Sequence, residues 1–170
     1  YTRSGTSWTR RAALDPGLGA ASDFFGQSIS IHNGTVAVGA PGNDVTTNGN
    51  EGAVYVFTGS GATWSLQQKL TRTGAALGDS LGGAVAVRGD TIVCGIANYD
   101  GIVGTNQGIG LFFTRTGTTW SASDIFQPNE TQAGANFGSA IAMSDEFIAV
   151  GATNWSKSGA NFSGAAYAFR

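Results

Sequence analysis

The chain has 170 residues, 41% of them hydrophobic and 12% charged, with a formal net charge of −2. Its apolar content excludes a disordered tail. With Lys69 and Lys157 its only lysines, it lacks the clustered cations that displace counterions from nucleic acid, and no apolar run approaches the ~20 residues that span a bilayer.

In chain order, the first predicted element is a strand opening at Trp8 and running to Leu14. Gly26 to Ile31 follows, with polar residues alternating with aliphatics, the period-2 sign of a strand. His32-Asn33-Gly34 makes a tight turn, because Asn and Gly tolerate positive φ. Thr35 to Ala40 is nearly all apolar, as a strand covered on both faces should be. A loop rich in Gly and Asn leads to Gly52 to Phe57, and a Gly-bearing turn to Trp64 to Leu70. The series then restarts with Gly83 to Val87, Thr91 to Ala97, Gly108 to Phe113 and a strand opening at Trp120. It ends with Gly138 to Met143, Phe147 to Ala152 and Gly164 to Phe169. Helix is nearly absent.

The restart has a fixed period. Trp8, Trp64 and Trp120 are 56 residues apart, as are Gly39, Gly95 and Gly151, and Tyr55, Leu111 and Tyr167. A period of this size with no insertion points to a solenoid or propeller. The expected fold is all-β: one segment over residues 1–170, in repeats 1–56, 57–112 and 113–168, each a four-stranded antiparallel propeller blade. Twelve strands are expected, with small residues such as Ala84 and Ala140 near the axis. Three blades are too few for an ordinary ring of ~4 to 8. The expected assembly is therefore half of a six-bladed ring, completed by a second copy, or part of a longer repeat array. Tyr1 falls at the repeat position of Phe57 and Phe113, inside a predicted strand, so the chain is expected to be cut from a longer precursor. Cys94 stands where the other repeats have Val38 and Val150, which marks it as a buried hydrophobe.

FFGQSISIHNGTVAVGAP (residues 24–41), GAVYVF (52–57) and TWSLQQKL (63–70) together resemble the FG-GAP repeat, the blade of integrin-α-type and lectin-like propellers. The likeness covers the whole chain, with Leu81-Gly82 replacing Phe-Gly in the second copy and Gly151-Ala152-Thr153 replacing Gly-Ala-Pro in the third. It implies a propeller fold. It leaves function open among adhesion receptors, lectins and accessory domains of enzymes.

Many repeats of this family carry a calcium loop with alternating carboxylates. Here the loops read GNDVTTNGNEG (42–52), NYDGIVGTNQG (98–108) and NWSKSGANFSG (154–164). Asp44 and Asp100 are the candidate metal ligands, and Ser156 replaces the third. One carboxylate per loop makes any Ca2+ site weak, no cofactor is required, and Asx-turn formation accounts for both aspartates. Asp23 and Asp79 share a register ahead of the Phe-Gly strand, Asn136 stands one position later in its repeat, and all three read as turn caps. Arg88-Gly89-Asp90 spells an integrin-recognised tripeptide, but it occupies a hairpin turn where Gly and Asp belong anyway.

Four Asn-x-Ser/Thr sequons, at Asn33, Asn129, Asn154 and Asn161, fall in turns or loops where a glycan could be attached. Trp155 does not repeat. It shares a loop position with Tyr99 and Asn43, and Phe162 lies near it, an aromatic and amide set suited to stacking and hydrogen-bonding a sugar. One His and one Cys assemble no nucleophile–base pair. The leading expectation is a non-catalytic extracellular or cell-surface scaffold or adhesion module, with other copies, flanking repeats, glycans or extracellular proteins as partners. A carbohydrate-binding lectin using Asn43, Tyr99, Trp155 and Phe162 is the alternative, and an accessory domain of a larger enzyme comes third.

Overall fold

The computed structural model describes residues 1–17, 19–46, 49–158 and 160–170. Two complete four-stranded sheets follow each other along the chain. The first contains β3 (Ser28–His32), β4 (Thr35–Ala40), β5 (Ala53–Ser60) and β6 (Thr63–Leu70). The second contains β7 (Ala84–Arg88), β8 (Thr91–Ile96), β9 (Ile109–Thr116) and β10 (Thr119–Phe126). A third sheet holds β11 (Phe137–Met143), β12 (Ile148–Ala152) and β13 (Ala165–Phe169). Each is an antiparallel meander, and together they form blades 1, 2 and 3 of a partial propeller. Ahead of them stands a two-stranded hairpin of β1 (Thr2–Ser4) and β2 (Ser7–Thr9).

Three features differ from expectation. The described strands number thirteen, not twelve, because the segment before Trp8 forms β1. The strand expected over Trp8 to Leu14 stops at Thr9, since the register Thr2↔Thr9 leaves residues beyond Arg10 with no strand opposite them. The third strands also run longer than predicted, to Ser60 and Thr116, because they pair with the fourth strands right up to the turn.

Alternation along each strand gives every blade two unlike faces. In blade 1, Ile29, Val38 and Tyr55 lie abreast on one face, and Ser30, Ala37 and Val56 on the other. Val85, Cys94 and Leu111 repeat the first row in blade 2, and Ile141, Val150 and Tyr167 repeat it in blade 3. The blades stack front to back. Ala37, Val54 and Val56 of blade 1 share one core with Val85, Cys94 and Leu111 of blade 2. Phe126 of blade 2 packs with Val150 and Tyr167 of blade 3. Cys94, Val38 and Val150 are thus equivalent buried positions, as expected, and burial pushes the Cys94 thiol pKa up.

Glycines set the distance between blades. A Cβ on Gly39 would overlap the Gly82 carbonyl oxygen of the next blade, and one on Gly95 would overlap that of Gly138. Only a residue without a side chain lets the two backbones approach so closely. A backbone ladder runs beside this contact. Gly78, Ser80 and Leu81 N–H groups donate to the carbonyls of Gly49, Asn50 and Glu51, and Gly134, Asn136 and Phe137 donate likewise to Thr105, Asn106 and Gln107.

The two ends of the stack are open. Ile29 and Ile31 are 64% and 65% exposed, whereas their counterparts Val85 and Val87 are 7% and 5% exposed. On blade 3, the outward residues of β11, β12 and β13 are Ala140, Ala142, Ala149, Ala166 and Ala168, all exposed. Full burial of the second strand holds for β4 and nearly for β8. It fails for β12, whose outer face no described residue covers, whereas Leu14, Phe25 and Trp64 pack over the outer face of β4.

Candidate functional site

The loops joining the second and third strands of each blade carry most of the residues singled out from the sequence. Thr47, Asn48 and Gly159 of these loops lie outside the described residues. Each loop is closed at its neck by the same pair of backbone bonds. Asn43, Tyr99 and Trp155 donate N–H to Ala40, Ile96 and Ala152, and accept at their carbonyls from Gly52, Gly108 and Gly164. Their side chains turn toward the sheets. Asn43 is buried, with Nδ2 3.4 Å from the Tyr55 hydroxyl. Tyr99 packs against the core between blades 1 and 2, with the Arg72 guanidinium 4.8 Å above its ring. Trp155 packs half-buried in the core of blade 3. These residues therefore take one place in each of three blades and do not gather into one platform. Asn43 Oδ1 and Trp155 Nε1 are buried with no hydrogen-bond partner among the described residues. Phe162 is 72% exposed at a positive φ of 52°.

Asp44 and Asp100 each close their own loop. Asp44 Oδ1 accepts from the Asn50 N–H at 2.6 Å and Asp100 Oδ1 from the Asn106 N–H at 2.8 Å. Ser156 Oγ makes the matching bond to the Phe162 N–H at 3.0 Å, so a neutral hydroxyl does the same job in the third blade. Among the described residues no group of three or more His, Cys, Asp or Glu is placed to hold a metal. Asp23 and Asp79 cap turns as expected, accepting from Ala20 and Ala76 at 2.8 Å, and Asp79 also holds Arg72 at 2.9 Å. Asn136 instead reaches toward blade 2, donating to Ala97 at 3.0 Å.

Glu51 escaped the sequence reading. It is buried and accepts from the Val45 N–H at 2.9 Å, the Thr46 N–H at 3.1 Å and the Thr46 hydroxyl. Those bonds, the Thr46 hydroxyl foremost, hold its carboxyl below the usual carboxylate range against the opposing effect of burial. Gln107 and Ser163 occupy its register and also bind loop backbone, through Val103 and Lys157 N–H. The 56-residue period carried that signal.

At the opposite end, the hairpin turns are tied to one another. Arg88 grips Asp145 of blade 3 with two bonds of 2.5 and 2.6 Å, and Asp90 pairs with Arg115 at 2.6 Å. The Gly89 N–H donates to His32 Nδ1 of blade 1 at 3.0 Å. Both charges of the Arg88-Gly89-Asp90 tripeptide thus have intramolecular partners. Of the sequon asparagines, Asn33, Asn129, Asn154 and Asn161 are all exposed, and Asn154 donates to Asn136 at 2.7 Å.

A cleft of about 490 Å³ lies where the loop ends of the three blades converge. Its wall includes Phe24, Gln27, Asn50, Ser80, Asn98 and Ser139, and none of the described residues lining it is charged. No helix among the described residues is long and apolar enough to cross a membrane. A family profile described as FG-GAP repeat matches residues 8–57, 64–109 and 120–169. Comparison with curated proteins gave no match.

Proposed function

The chain belongs to the FG-GAP repeat family, and from that premise we propose that it is a non-catalytic module, extracellular or at the cell surface, that works as a structural scaffold or adhesion and recognition surface. The observation that carries this reading is the employment of the loop polar groups. Asp44, Asp100, Ser156 and Glu51 close loops, and Arg88, Asp90 and Asp145 join turns. Chemistry needs titratable groups converging on a substrate. Here they are dispersed around a rigid frame.

The exposed sequons support the extracellular half of the reading. Secreted from a eukaryotic cell, the chain should carry sugar on at least one of Asn33, Asn129, Asn154 and Asn161, read as a mass loss on enzymatic deglycosylation. Four bare asparagines would remove that support.

A lectin remains the second reading, favoured by the exposed Phe162 ring beside the Trp155 loop. A glycan array distinguishes the two. Selective retention of a glycan that is lost in Phe162→Ala selects the lectin, and retention of extracellular proteins without glycan dependence selects the scaffold. Any Ca2+ at Asp44 or Asp100 would compete with the backbone bonds already made there, and binding is expected to be weak.

A further inference from the structure

We infer that the uncharged cleft at the loop ends is a binding site for a neutral pyranose, with the Phe24 ring as its stacking face and side-chain amides as its polar wall. The inference rests on the recognition reading and gives it a ligand class and a place, apart from the Phe162 loop. Every described wall residue comes from blade 1, 2 or 3 or the loops leading into them.

The repeat is broken at three positions that line this cleft. Phe24 stands where blades 2 and 3 have Ser80 and Asn136. All three adopt left-handed backbone, at φ of 53°, 60° and 53°. Asn is at ease there, whereas a bulky aromatic residue is an outlier whose strain needs a reason. Burial does not supply one, because Phe24 is 62% exposed. Gly42 stands where the other blades have Asn98 and Asn154. A Cβ on Gly42 would come within 2.7 Å of Phe24 Cδ2, so the ring takes the place of an amide side chain. Gly83 replaces the Gln27 and Ser139 of its neighbours. A Cβ there meets nothing nearer than the Ser80 carbonyl oxygen at 3.6 Å. Packing therefore does not demand this glycine, and its bare backbone keeps the cleft open.

The polar wall is held in place. Asn154 Nδ2 donates to Asn136 Oδ1 at 2.7 Å, Asn136 Nδ2 to Asn98 Oδ1 at 3.4 Å, and Asn98 Nδ2 to Ser80 Oγ at 3.4 Å. Gln27 and Asn50 also line the cleft, and their side-chain amides make no hydrogen bond to any described residue. Each amide offers donors and an acceptor side by side. Adjacent hydroxyls, which donate and accept at one atom, can use both, while the C–H face of a pyranose covers an aromatic ring. A charged ligand would find no counter-charge among the described lining residues. The volume of about 490 Å³ suits a small ligand, whose sites span about 300–1,000 Å³.

An NMR titration of the isotope-labelled chain with methyl β-glucoside, methyl β-galactoside and methyl α-mannoside, each to tens of millimolar, tests this. At least one should shift the side-chain amide signals of Gln27, Asn50 and Asn98. Phe24→Asn should weaken that response about tenfold while melting no lower than wild type, since Asn suits the left-handed backbone. Gly83→Leu should abolish the response by filling the cleft, with the dispersion of the spectrum preserved. No response to any of the three glycosides, a response that survives both substitutions, or a Phe24→Asn chain that melts lower would overturn the site. A response confined to the Phe162 loop would overturn it too, and would leave the lectin reading standing at Phe162. None of those results bears on the scaffold reading, which the retention of extracellular proteins tests separately.

Discussion

Gly95 and Gly151 occupy one repeat position, yet they differ in what they tolerate. A Cβ at Gly95 would enter the Gly138 carbonyl, which belongs to backbone and cannot swing aside. Gly95→Val should therefore cost about 3 kcal/mol, the upper range of overpacking, or roughly 10 °C in melting temperature for a domain of this size. Gly151→Val, compared at a concentration low enough to keep the chain monomeric, should stay within about 0.5 kcal/mol. Thermal melts of the pair check this. Glu51 adds a pH dependence. Its folded carboxyl titrates below the unfolded value near ~4.3, so the protein with Glu51 ionised is the stabilised one. That contribution is fully present above the unfolded value and is lost as pH falls through the folded one. Wild type should melt above Glu51→Gln at pH 7, and the gap should close in acid below about pH 4. A gap that widens in acid would refute the assignment.

Among the elements, β6 and β10 show how one blade positions the next. The register of β6 on β5 slips between Val56 and Phe57, which places the bulge at Gln67. A bulge re-aims side chains, and here both glutamines reach Trp120 of β10. Gln68 bonds the Trp120 N–H and carbonyl at 2.8 Å each, and Gln67 Oε1 accepts from the indole at 2.8 Å. Trp120 is 2% exposed as a result, whereas Trp8, with no such neighbour, is 64% exposed. Gln68→Ala should cost about 2 kcal/mol, because it leaves buried backbone groups unpaired. A denaturant midpoint measures that loss, and a red shift of the Trp120 emission should accompany it.

At the scale of the whole molecule, stability is carried by blade-on-blade burial, so it should fall toward the open ends. β8 has a neighbour on each side within its sheet and a blade on each face. Its amides should exchange with solvent only through global unfolding. Those of β13, an edge strand with exposed alanines on its outer face, should exchange far sooner. Hydrogen exchange followed by mass spectrometry reads this gradient. Equal protection of β8 and β13 in a monomer would mean that the blades do not depend on their neighbours.

Much of this molecule was legible in its sequence because a repeat states each requirement more than once. The 56-residue period marked Cys94 as a buried residue, and placed Asp44 and Asp100 at one loop position as Asx-turn formers or metal ligands. Those are local demands of strand alternation and turn geometry, which neighbouring residues satisfy. Three matters needed the tertiary structure. Asn43, Tyr99 and Trp155 share a register, and only packing decided that their side chains face three separate cores. Glu51 looked like one loop residue among others, and only folding wrapped Val45 and Thr46 around its carboxylate. Trp8, Trp64 and Trp120 are one residue in sequence with three different burials. Sequence fixes which face of a strand a side chain leaves from, but exposure depends on whether another blade stands against that face.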